Sequence, residues 1–162
     1  MIRIAKESDI DEILGLLEQI LEIHHEGRPD LFKAEGSKFT KEELSLMIQN
    51  PEEPIFVYED ESGHVAGHCF CSLHREAESN SMHAVNNLFI HDLCVSETCR
   101  GKGIGEQLFR YVEAYAKRAG MDAVTLNVWG FNRQARAFYQ KMGMTEQRII
   151  MEIPIKDEKT GS

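Results

Sequence analysis

The chain has 162 residues, 42% of them apolar, with eight Phe, four Tyr and one Trp; that length suits one domain able to bury its own core without a disulfide framework or a structural metal. A formal net charge of -9 argues against a nucleic-acid partner, because non-specific affinity for phosphate backbones comes from Lys and Arg displacing counterions. The acid excess is lopsided: residues 1–62 hold 16 acidic and 6 basic side chains, a net of -10, whereas residues 63–162 hold 11 and 12, a net of +1.

In chain order, residues 2–5 alternate weakly and predict a first strand. Ser8-Asp9-Ile10-Asp11 reads as a helix N-cap, and Ile10, Ile13, Leu14, Leu17, Ile20 and Leu21 then recur at helical spacing. Gly27, Pro29 and Gly36 interrupt this helix, and Thr40-Lys41-Glu42-Glu43 forms a capping box for a short second helix ending near Asn50-Pro51. Residues 54–58 and 65–73 predict a hairpin closed by a Gly63 turn, and residues 82–95 a third strand beside it. Residues 103–118 carry Ile104, Leu108, Tyr111, Val112 and Tyr115 on one face, with Gly120 at the C-terminal stop. A strand at 123–128, a helix at 132–142 stopped by Gly143, and a last strand at 148–155 complete the pattern. One domain over residues 1–155 with a loose tail at 156–162 is expected.

The N-terminus runs straight into an amphipathic segment without the apolar core and small-residue cleavage site of a leader, and no apolar run approaches membrane-spanning length. A cytoplasmic protein with no membrane partner is expected. Cys69, Cys71, Cys94 and Cys99 match neither a zinc knuckle nor a Cys-x-x-Cys redox pair, and the seven histidines show no ligand spacing. No metal is expected.

The stretch with the most chemical content is Leu93-Cys94-Val95-Ser96-Glu97-Thr98-Cys99-Arg100-Gly101-Lys102-Gly103-Ile104-Gly105, where a strand ends, a glycine-rich turn follows and a long helix begins. Glycines let backbone approach a ligand, and the free N–H groups and dipole of a helix's first turn favour an anion; a merely flexible turn is the other reading. A P-loop is excluded because no Ser or Thr follows Gly101-Lys102, and a dinucleotide fingerprint would need glycine where Glu106 stands. The turn instead fits Arg/Gln-x-x-Gly-x-Gly/Ala between a strand and a helix, present as Arg100-Gly101-Lys102-Gly103-Ile104-Gly105. Downstream, residues 126–144 run from a strand into Asn132, Ala135, Phe138-Tyr139 and a closing Gly143. On these two motifs the sequence resembles the GNAT superfamily of acyl-CoA N-acyltransferases.

The resemblance implies a single α/β (α+β) domain: a central mixed, mostly antiparallel sheet of about six or seven strands flanked by about four helices, in the order β-α-α-β-β-β-α-β-α-β. It implies acetyl-CoA as co-substrate and an amine acceptor. The pyrophosphate would lie on the backbone of Gly101, Lys102, Gly103, Ile104 and Gly105, with Arg100 and Lys102 adding positive charge. The pantetheine arm would lie along Leu93, Cys94 and Val95, flanked by Asn127, Asn132, Ala135 and Phe138. Asn132 also suits a helix N-cap.

Tyr139 matches the family's tyrosine that protonates the departing thiolate, a role suited to a phenol with a pKa near 10. The acceptor amine must lose a proton, and His91 or Asp92, on the strand leading into the turn, is the candidate base; a water chain is the alternative. Adjacent strand residues face opposite sides, so only one of the two can meet the acceptor unless a bulge intervenes. Where spermidine/spermine acetyltransferases resembling this strand carry Glu-Asp, this chain carries His91-Asp92. The acidic first half would then favour a cationic amine such as a polyamine. Protein N-termini or lysines as acceptors, or a CoA-binding sensor without transferase activity, are the alternatives, and the family also admits a homodimer.

Overall fold

The computed structural model describes residues 1–156. Of the expected tail at 156–162, residues 157–162 lie outside the described residues. One sheet runs through the molecule in the order β1-β2-β3-β4-β5. Its strands are β1 (Ile2–Ile4), β2 (Ile55–Glu59), β3 (Val65–Glu76), β4 (Val85–Val95) and β5 (Ala123–Leu126). The first four pair antiparallel, and β5 joins β4 in parallel. Four helices flank it: α1 (Ile10–Gly27), α2 (Lys41–Gln49), α3 (Ile104–Arg118) and α4 (Arg133–Lys141).

Each face of the sheet carries its own core. On one, Ile10, Ile13, Leu16 and Leu17 of α1 and Leu44 of α2 pack over Ile55, Val57 and Phe70. On the other, Ile104, Leu108, Phe109 and Val112 of α3 cover Phe56, Cys69, Cys71, Leu88 and Ile90. Gly67 lets α3 come close, since a Cβ there would lie 2.9 Å from the Cys94 carbonyl oxygen and 3.1 Å from Leu108. Truncating Leu108, which is wholly buried, would leave a cavity of the kind that costs about 2–5 kcal/mol.

Local signals mostly act as expected. Thr40 caps α2 reciprocally: its Oγ1 accepts from the Glu43 amide at 3.1 Å, and Glu43 Oε1 accepts from the Thr40 amide at 3.3 Å. At α1 the cap works differently from the expected Ser8 cap. A turn of 3-10 helix, Glu7–Asp9, precedes α1, and the buried Asp9 carboxylate accepts from the Lys6 amide at 2.7 Å and from both terminal nitrogens of Arg3 at 2.7 and 2.9 Å. Arg3 therefore holds the Asp9 carboxyl below the usual carboxylate range.

The strand count is a correction. Among the described residues the sheet has five strands rather than six or seven, because the expected last strand at 148–155 enters no ladder. Its alternating side chains find no described strand beside them: Ile150 and Met151 are 88% and 89% exposed.

His68 on β3 is wholly buried against Phe70, with neither ring nitrogen hydrogen-bonded among the described residues. Burial, reinforced by Lys38, pushes its pKa down to about 3. The unfolded chain therefore binds a proton near pH 6.5 that the folded chain refuses. The stability linked to His68 is present above pH 6.5 and drains as pH falls toward 3, by up to about 1.4 kcal/mol per pH unit. Urea unfolding from pH 7 to 5 should show this slope in the wild type and a shallower one in His68→Leu. Equal slopes would reject the assignment.

Candidate active site

The register between β4 and β5 ends at Ile90 and Leu126. Beyond it β4 runs on to Val95 with β3 alone beside it, while the chain after Leu126 turns irregularly toward α4. The two parallel strands therefore part, and the backbone of Leu93, Cys94 and Val95 presents an open edge to the gap. Leu93 and Val95 are half-buried on the α3 side. Cys94 points the other way, buried under α1, its thiol directed at the Leu16 carbonyl at 3.6 Å and pushed up to about 12 by burial.

At the end of the open edge lies the glycine turn. Gly101 and Gly103 hold φ of 81° and 77°, the left-handed region that an L side chain enters at a cost of roughly 1–2 kcal/mol. Gly103 is the N-cap of α3, and the Gln107 amide donates to its carbonyl at 3.1 Å. The amides of Ile104, Gly105 and Glu106 precede that bond and so lack intrahelical acceptors, a geometry suited to an anion. Arg100 and Lys102 are exposed beside it, and Ile104 turns into the core. At Gly105 a Cβ would stand 3.4 Å from the Phe138 ring and 3.7 Å from Val95, so α3, α4 and β4 meet at this point.

Asn132 caps α4, its Oδ1 accepting from the Ala135 amide at 3.1 Å. Ala135 and Phe138 are half-buried, whereas Asn127 is exposed just past β5. Tyr139 lies beside Phe138 and Phe109, ring centroids 5.2 and 6.3 Å away. Its hydroxyl has no hydrogen-bond partner among the described residues, and burial, followed by the neighbourhood of Cys69, Asp92 and Cys94, raises its pKa well above that of a free phenol.

His91 and Asp92 share the α1–α2 side because β4 does bulge. Ile90 pairs with Cys71 and Asp92 with Phe70, leaving His91 as the extra residue. The bulge resets the alternation, so that Leu88 and Ile90 face α3 whereas Cys94 faces α1. His91 Nε2 shares Ser72 Oγ, at 2.8 Å, with His74 Nε2 at 2.8 Å, and burial with the Lys38 charge depresses its pKa. Asp92 is 8% exposed and holds Lys38 Nζ at 3.0 Å; its pKa is raised by burial, against the pull of Lys38.

Sequence reasoning missed Lys38, Ser72, His24 and the buried His68. Ser72 and His74 carried a usable signal, since residues two apart share a strand face; Lys38 sits in a loop and carried none. Also unforeseen is a ring cluster roofing this side: His24 lies 4.8 Å from Phe32, which lies 5.3 Å edge-on from Trp129. Gly27 permits it, because a Cβ there would lie 2.0 Å from the Phe131 ring. Among the described residues no group of three His, Cys, Asp or Glu side chains could hold a metal ion, and no helix is long and apolar enough to cross a membrane.

The model of the acetyltransferase (GNAT) family matches residues 17–144, a span that includes the glycine turn and the parted strands. The chain belongs to this family. It is 34% identical to the uncharacterized N-acetyltransferase YhfO of Bacillus subtilis over 96% of its own length and 99% of that protein's. To YhdJ of the same organism it is 34% identical over 46% of this chain, a match spanning about half (54%) of that relative. A mutant of the BH1408 protein from Bacillus halodurans superposes with a TM-score of 0.93 at 31% identity, covering 96% of this chain and 99% of that one. The protein is thus an N-acetyltransferase, in which a GNAT sheet places the glycine turn and the His91-Asp92 bulge at opposite ends of one open strand edge.

Proposed function

We propose that this acetyltransferase moves an acetyl group from acetyl-CoA directly to a primary amine, preferentially a small cationic one such as a polyamine. The observation that carries the acceptor reading is Asp92: a nearly buried carboxylate on the acidic side of the molecule, already holding an ammonium. That ammonium belongs to the half-exposed Lys38, which an incoming amine can displace into water. The rings of Phe32 and Trp129 near His24 offer the faces on which cations rest.

In this reading the pyrophosphate lies on the free amides of the glycine turn, and the pantetheine pairs with the open edge at Leu93–Val95. A backbone N–H of that edge polarises the thioester carbonyl. The amine nitrogen attacks the carbonyl carbon, the C–S bond breaks, and the thiolate takes the Tyr139 proton. The amine's proton passes to Asp92 or, through the bulge, to His91. Cys94 supports direct transfer, since its raised pKa and inward orientation make it a poor nucleophile.

Lys38 favours a second reading, in which its ammonium stays and receives an acceptor's carboxylate or phosphate. Thiol release from acetyl-CoA with a panel of amines separates the two. Polyamines should turn over best, with kcat/KM falling several-fold between low and 0.5 M salt. Preference for an amino acid or amino sugar phosphate would replace the first reading with the second, and no turnover with any amine would leave a CoA-binding sensor.

A further inference from the structure

Ser72 joins two histidines through one oxygen. Its Oγ lies 2.8 Å from Nε2 of His74 and 2.8 Å from Nε2 of His91. The strands build this arrangement: Ser72 and His74 share a face of β3 because they stand two residues apart, and the bulge in β4 brings the extra residue His91 over the same face. Phe89, opposite Ser72 in the register, stands edge-on to both imidazoles, its centroid 4.8 Å from that of His91 and 6.5 Å from that of His74. Ser72 is 6% exposed, whereas both histidines reach solvent.

A hydroxyl carries one proton, so it donates to one imidazole and accepts from the other. Neutral His74 and His91 then hold opposite tautomers, since a ring that donates from Nε2 keeps a bare Nδ1, and the reverse. Two Nε2–H groups directed at Oγ would leave the nearly buried hydroxyl proton without an acceptor, which is costly. Two orders remain, and the surrounding charges choose between them. Lys38 is the largest charge acting on His91, ahead of Asp92, His74 and Glu53. A cation favours a lone pair over an N–H on the nitrogen that Ser72 does not hold. His91 thus donates from Nε2 to Ser72, Ser72 donates to Nε2 of His74, and the bare Nδ1 of His91 is left to receive a proton.

We propose that Ser72 and His74 are positioning residues for removal of the acceptor's proton, holding His91 in the tautomer that can take it and spreading the charge that results. The proposal rests on the amine acceptor argued above. An N–H bond of the amine breaks and an Nδ1–H bond forms on His91, directly or by way of Asp92. The imidazolium's bond from Nε2 to Ser72 is then charge-assisted and stronger than the neutral one. As Nε2 passes its proton to Oγ, Oγ gives its own to Nε2 of His74. The positive charge moves from His91, where Lys38 opposes it, to the exposed His74. His74 releases its Nδ1 proton to water, no group is left charged, and exchange with water resets the tautomers once the product has gone.

Imidazole 15N spectra of the full chain at about pH 8, without acceptor or acetyl-CoA, test the tautomers. The expected result is Nε2–H at His91 and Nδ1–H at His74 in the wild type, a mixture at both rings in Ser72→Ala, and the wild-type pattern again in Ser72→Thr. Both rings reach solvent, so Ser72→Ala strands no imidazole without a partner and the fold should hold. Like tautomers in the wild type, Nδ1–H at His91, or a pattern that survives Ser72→Ala overturns the proposal. In turnover with the best amine, kcat should fall by about 10- to 100-fold in Ser72→Ala, at the lower edge of a lost acid–base contribution, with the KM for acetyl-CoA unchanged. His74→Phe should lower kcat in the same direction, and Ser72→Thr should restore it. Wild-type kcat in Ser72→Ala overturns the proposal while leaving the amine reading intact. A wild type that turns over no amine overturns both together.

Discussion

Tyr139→Phe is expected to lower kcat by about 10²–10⁴ while leaving the KM for acetyl-CoA nearly unchanged. The substitution removes one oxygen that makes no hydrogen bond to any described residue, so α4 and the packing of Phe109 and Phe138 should survive. The raised pKa of Tyr139 keeps the phenol protonated across the assay range and makes it a weaker acid toward the thiolate. A free phenol near 10 would begin to ionise in alkaline assays, whereas this one keeps its proton until a thiolate forms beside it. kcat should therefore show no alkaline fall attributable to Tyr139 below pH 10. Steady-state kinetics of the variant from pH 6 to 10 check both points. Turnover within a factor of about three of wild type would remove the proton-donor role and return Tyr139 to core packing.

Asp92→Asn should separate activity from stability. With cationic amines kcat/KM is expected to drop by at least about 10², because one carboxylate both anchors the ammonium and accepts a proton. Stability should hold or rise. Burial raises the folded-state pKa of Asp92 above its unfolded value, so the stability linked to this group is fullest below the unfolded pKa near 3.9 and is lost as pH rises through the folded one. At pH 7 the charged form is a net cost to folding, and its half-exposed partner Lys38 returns to water once the charge is gone. Thermal melts beside amine kinetics measure the two quantities. In the wild type kcat/KM should also climb with pH through the raised Asp92 pKa, an inflection that Asp92→Asn loses. If the inflection persists in that variant and disappears in His91→Gln, His91 is the base.

Legibility in the sequence followed the range of the interactions. The glycine turn is readable because its chemistry is local: Gly101 and Gly103 are needed for their own φ angles, and the free amides follow from a helix starting at Ile104. The Thr40 box and the Asn132 cap are equally local, each closing over three residues. Periodicity placed α1 and α3 because one long apolar stripe must meet the sheet. The α1 start was misread because Asp9 is bound from β1, by Arg3, rather than by its own helix. The last strand was misread for a related reason: alternation shows that residues 148–155 can be a strand, but the ladder that would make them one requires a neighbour.

By itself, then, the sequence determined the order of elements from β1 to α4, the glycine turn at the start of α3 and the family, since each is written in residues a few positions apart. Only the tertiary structure decided the arrangement around His91 and Asp92. Whether His91 and Asp92 face together depends on the register of β4 against β3, where a single unpaired residue reverses the alternation. Whether Asp92 is free or held depends on Lys38, 54 residues away in a loop. Such choices are made by packing and pairing between distant segments, and pairing energies are not carried by any one stretch of chain.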